Sequence, residues 1–90
     1  MQNNELIKKA YEHFEKGTMH GLYAVYDIGD RIVAFGGNPN KKMYSCRSVE
    51  VNKISGEVKL FASWMNENEK LLDDAIALDI PEEYIYKEGA

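Results

Sequence analysis

The sequence predicts a single α+β domain over residues 1–90: a four-stranded antiparallel meander with an N-terminal and a C-terminal helix, in the order α-β-β-β-β-α. Three observations predict it. Apolar residues recur with a helical period up to Lys16. The period switches to two between Gly21 and Ala62, with turn residues separating the runs. A helical stripe then returns after Asn66.

Leu6, Ile7, Ala10, Tyr11 and Phe14 share one helical face, and Glu5, Lys8, Lys9, Glu12, Glu15 and Lys16 fill the others. Asn3 or Asn4 suits the N-cap and Gly17 the stop, so a helix is expected from about Asn4 to Lys16. Leu22, Ala24, Tyr26 and Ile28 then alternate with Tyr23, Val25 and Asp27. Gly29-Asp30 reads as a two-residue hairpin turn into Arg31–Phe35, pairing Tyr26 with Val33 and Ala24 with Phe35. On that register Leu22, Ala24, Tyr26, Ile28, Val33 and Phe35 form the face expected to meet the helices. Tyr23, Val25, Ile32 and Ala34 fall on the opposite one.

Gly36-Gly37-Asn38-Pro39-Asn40-Lys41-Lys42 is the strongest break in the chain. Met43 to Lys53 resumes an extended pattern with Val49 and Val51 inward. Ile54-Ser55-Gly56 closes a bulged hairpin into Glu57–Phe61, where Val58, Leu60 and Ala62 alternate with Phe61 on the other side. Asn66 and Glu69 have capping-box spacing, with Trp64 and Met65 placed as a hydrophobic staple. Leu71, Leu72, Ala75, Ile76, Leu78 and Ile80 extend the last helix to Pro81, and Pro81–Tyr86 adds a turn or short edge strand. Both helices are expected on one face of the sheet.

Composition narrows the function. The chain is 44% hydrophobic with a net charge of -4, too apolar for a disordered segment. Its longest apolar run, Ile32–Phe35, excludes a membrane-spanning helix, and MQNNELIKKA lacks the pattern of a secretory signal. The single cysteine, Cys46, forbids an intrachain disulfide and fits a cytoplasmic protein. Charge is uneven: Trp64 to Ala90 holds eight acids against two bases, whereas Gly17 to Ser63 carries a net +2. An acidic pI of 5.1 and no basic cluster argue against nucleic acid.

Catalytic chemistry finds little support. His13 and His20 match no zinc spacing, no Cys-x-x-Cys exists, and no serine sits in a G-x-S-x-G elbow. Neither a metal nor a cofactor is expected, and no catalytic residue is assigned. The adjacent pairs Asp73-Asp74 and Glu82-Glu83 diverge on a helix and build no shared acid–base site. A small-molecule or anion site is the alternative reading, using Gly36, Gly37, Lys41 and Lys42 with Arg31 and Arg47.

The aromatic residues point elsewhere. Six tyrosines, three phenylalanines and one tryptophan are many for so small a core. A sheet face bearing Tyr23, Val25, Ile32 and Ala34 needs cover, from the C-terminal segment or from another chain. The expectation is protein–protein binding, as a homodimer or as a partner binder. Tyr23, Ile32, Tyr44, Phe61 and Trp64 would supply affinity, and Asp73, Asp74, Glu82 and Glu83 orientation.

The stretch SVEVNKISGEVKLF, followed by an acidic helix carrying LLDDAI, resembles the end of small bacterial YrhB-like proteins grouped with polymorphic-toxin immunity domains. The matching positions are Val49, Val51, Asn52, Lys53, Ser55, Gly56, Glu57 and Val58, about a third of the chain with the helix, and Asn52 stands where the pattern has aspartate. The resemblance implies a non-enzymatic protein that binds and blocks another protein. It implies no catalytic residue.

Overall fold

A computed structural model describes residues 2–15, 21–36, 48–62 and 65–85. The expected α+β class holds, with two helices and an antiparallel sheet. The elements run α1 (Asn3–Glu15), β1 (Leu22–Asp27), β2 (Arg31–Gly36), β3 (Ser48–Asn52), β4 (Val58–Leu60), α2 (Asn66–Asp73), β5 (Ile76–Ala77) and a 3-10 turn at Glu82–Tyr84. The sheet therefore has five strands rather than four, ordered β4-β3-β2-β1-β5.

The extra strand corrects the reading of the last helix. α2 ends at Asp73 instead of continuing to Ile80, and Ile76-Ala77 pair antiparallel with Asp27 and Tyr26. The apolar residues that resembled a continued helical stripe serve two purposes. Leu78 and Ile80 pack against the core, while Ile76 is left 68% exposed on the sheet edge. The Leu78 amide donates to the Val25 carbonyl at 2.8 Å and carries the pairing one residue further. The capping box does not form either. Met65 occupies the N-cap in extended geometry without a side-chain cap, and Asn68 Nδ2 instead donates to the Ala62 carbonyl.

The two hairpins form as expected. Ile28 donates to the Arg31 carbonyl across Gly29-Asp30, and Gly29 takes a φ of 113°, which an L side chain resists. Ala24 faces Phe35 and Tyr26 faces Val33. In the second hairpin Asn52 Oδ1 accepts the amides of Ile54 and Ser55. The Gly56 amide closes the loop onto the Asn52 carbonyl.

The face assignment is reversed. α1 buries Leu6, Ile7, Ala10 and Phe14 against Val25, Ile32, Ala34, Val49 and Val51. Both rows of β1 and β2 are apolar, so alternation alone cannot choose between them. In the structure α1 lies on the row with Val25, Ile32 and Ala34, and the row with Tyr26 and Phe35 borders the end of α2. A register shift between Leu22 and Ala24 returns Leu22 to the α1 side despite its place in the other row. Gly36 belongs to this packing, because a Cβ there would meet the Phe14 ring at 2.8 Å.

Two further expectations change. Phe61, expected at a partner surface, is 1% exposed, whereas Leu60 in the alternate row is 65% exposed on the β4 edge. The Phe61 amide donates to the Ser48 carbonyl and Ser48 Oγ donates back to the Phe61 carbonyl at 2.6 Å, drawing that residue in. Finally, the helices do not share a face. α1 covers one side, and the C-terminal end of α2 borders the other beside Ala24, Tyr26 and Phe35.

Candidate functional site

The face opposite α1 is built from alternate residues of the central strands. β1 contributes Ala24 and Tyr26, β2 contributes Arg31, Val33 and Phe35, and β3 contributes Ser48, Glu50 and Asn52. Val33 and Ser48 are buried. The rest divide into an aromatic end and an ionic end.

At the aromatic end Phe35 lies between two tyrosines. Its ring centroid is 5.8 Å from that of Tyr23, at 42°, and 5.8 Å from that of Tyr26, at 83°. Tyr26 follows from strand alternation. Tyr23 reaches the same group from the irregular step between Leu22 and Ala24. Leu72 and Asp73, at the end of α2, complete an open cleft of about 290 Å³ lined otherwise by Tyr23, Ala24, Tyr26 and Phe35. Tyr26 and Phe35 are half-buried and Tyr23 is 36% exposed.

At the ionic end the charges are paired. Arg31 Nη1 donates to Glu50 Oε2 at 2.7 Å, and Arg31 Nε reaches Asp30 Oδ1 at 3.2 Å. These carboxylates raise the guanidinium pKa, Glu50 most of all, so Arg31 is a committed cation. Nearby, Lys53 Nζ donates to both Asp27 oxygens at 2.8 Å. That bond, followed by the Gly29 amide, holds the Asp27 carboxyl below its ordinary value.

The structure brings together Tyr23 and Asp73 from the residues expected at a partner surface. Ile32 and Phe61 are corrected, because exposures of 0% and 1% place them inside the molecule. Asp74 caps α2 and is exposed. Glu82 and Glu83 lie in the 3-10 turn, which packs on α1 through the Tyr11–Tyr84 ring contact at 4.9 Å, away from the cleft. Tyr44 and Trp64 lie outside the described residues, as do Gly37, Lys41, Lys42 and Arg47 of the alternative site.

That alternative loses two members. Gly36 is explained by the Phe14 ring, and Arg31 is engaged by two carboxylates. The two also sit at opposite ends of β2, separated by about 17 Å of strand.

Sequence reasoning missed Tyr26, Phe35 and Leu72. No local signal marked the two rings, because both rows of the first hairpin are apolar and each carries a ring. Elsewhere, His13 packs edge-on against Phe14 at 5.6 Å. Among the described residues no group of three or more His, Cys, Asp or Glu is arranged to hold a metal, and no helix is long and apolar enough to cross a membrane. Compared with protein-family models, curated proteins and solved structures, the chain matches none, so the functional reading rests on this surface itself.

Proposed function

We propose that the protein is non-enzymatic and acts by binding another protein through the face opposite α1, in the cytoplasm where its one cysteine stays reduced. The supporting observation is the Tyr23–Phe35–Tyr26 ring group, partly exposed in an open cleft beside the end of an acidic helix. Tyrosine and phenylalanine lose large apolar area on association, and tyrosine keeps a polar handle for the rim. The neighbouring carboxylates supply orientation and encounter rate.

The acidic edge also selects the kind of partner. A symmetric dimer with α2 at its axis would set two such edges against each other, and like charges oppose that approach. A heterologous partner with a basic surface is favoured. The mechanism is steric occlusion, in the manner that resemblance to immunity proteins implies.

The test uses proteins retained from a host lysate by the immobilised chain. Each is remeasured against Tyr23→Glu and Asp73→Lys, with Lys8→Glu on the exposed side of α1 as control. A true partner loses at least about tenfold in affinity with the first two variants and keeps it with the third. Partners unaffected by Tyr23→Glu and Asp73→Lys would place the interface elsewhere and overturn the reading. Light scattering at micromolar concentration should find the isolated chain monomeric.

A further inference from the structure

We infer that the cleft between the first hairpin and the end of α2 receives a basic side chain of the partner, an ammonium or guanidinium group set over the rings and against Asp73. This rests on the partner-binding reading above and names the group that anchors it.

Four features converge on a cation. Phe35 and Tyr26 stand at 83° to one another, with Tyr23 at 42° to Phe35, so the rings form walls facing different directions instead of one stack. The face of an aromatic ring carries partial negative charge and attracts a cation within about 6 Å. Among the described residues that line the cleft, Asp73 is the one carboxylate and none is a lysine, arginine or histidine. Asp73 is also the last residue of α2, and the carbonyl end of a helix adds further partial negative charge.

The same features weigh against other occupants. An anion would meet the carboxylate, the helix terminus and the ring faces together. A neutral apolar group would cover Asp73 and cost its carboxylate water without offering a partner. Size agrees: about 290 Å³ lies at the lower end of small-molecule sites, suited to one long side chain more than to a cofactor.

The experiment titrates isotopically labelled protein with N-acetyl-arginine amide at fixed ionic strength and follows backbone amide shifts. N-acetyl-citrulline amide, nearly isosteric and neutral, is the control. The expected result is a saturable shift confined to Tyr23, Ala24, Tyr26, Phe35, Leu72, Asp73 and their chain neighbours, with no saturable response to the citrulline compound. Asp73→Asn, at an exposed position that does not threaten folding, should weaken arginine binding by about fivefold. Phe35→Leu should weaken it by about twofold to fivefold, the loss of one cation–ring contact.

Equal binding of the two compounds, no saturable shift with arginine, or arginine binding unchanged in Asp73→Asn would each overturn the inference. If partner binding remains sensitive to Tyr23→Glu while the cleft ignores arginine, the interface stands and only this anchor falls.

Discussion

Gly36 shows how one missing side chain sets the spacing between helix and sheet. Its Cα lies under the Phe14 ring, where an added methyl would sit 2.8 Å from ring carbons. Those carbons belong to a side chain only 5% exposed and enclosed by the core, so the ring has little room to retreat. Gly36→Ala should therefore cost about 1–3 kcal/mol in urea unfolding. Phe14→Leu should relieve part of that cost in the double variant, and simple additivity of the two losses would refute the contact. Asp27 makes a second residue-scale case. Lys53 and the Gly29 amide depress its folded pKa below the ordinary 3.8. A carboxyl with a depressed folded pKa adds stability that is fully present above 3.8 and lost as pH falls through the lower folded value. The urea midpoint should fall on acidification in that range, and Lys53→Met should flatten the fall. Parallel pH profiles for the two proteins would exclude the linkage.

Among the elements, α2 is the least secured. It has eight residues, none of them buried, and an N-cap residue without a side-chain acceptor. Met65 already holds the extended geometry of a cap, at φ -76° and ψ 136°, and is 45% exposed. Met65→Ser should supply an acceptor for a first-turn amide and stabilise by about 0.5–1 kcal/mol, a rise of about 2–6 °C in Tm. In the wild-type protein, hydrogen exchange should release the α2 amides well before those of β2. Protection in α2 equal to that of β2 would contradict this ranking. The same elements show what was legible in the sequence. α1 and the two hairpins were readable because hydrophobic period and turn glycines act over a few residues, whereas the Asn52 acceptor emerged only from the structure. β5 was not, since Ile76, Leu78 and Ile80 satisfy helical spacing as well as strand spacing and only docking against β1 decides between them. The choice of covered face was hidden too, because both rows of the first hairpin are apolar and the irregularity at Tyr23 leaves no local mark. Of the candidate site, Tyr23 and Asp73 were legible as a surplus ring and an acidic helix end. Tyr26 and Phe35 were assigned to the wrong side with their row.

The whole molecule separates what holds it together from what it offers. On the α1 side Leu6, Ile7, Ala10, Phe14, Val25, Ile32, Ala34, Val49 and Val51 are all at most 5% exposed, and apolar burial of that kind dominates stability. On the other side Val33 is buried, while the rings beside it border open solvent and an acidic edge. The two faces should answer differently to truncation. Val49→Ala removes two methyl groups from a filled interior and should lower stability by about 1–3 kcal/mol, with little change in the affinity of the folded protein for its partner. Tyr23→Ser removes a ring already 36% exposed and should change stability by less than about 1 kcal/mol, yet weaken partner binding by at least about tenfold. Added salt should slow association of the wild-type complex, because the acidic edge acts on the encounter, and should do so less in Asp73→Asn. Unfolding and binding measured on the same two variants give a crossed pattern if one face is core and the other is interface. If Tyr23→Ser instead costs as much stability as Val49→Ala, the rings are a second core and the partner surface must be sought on another side of the molecule.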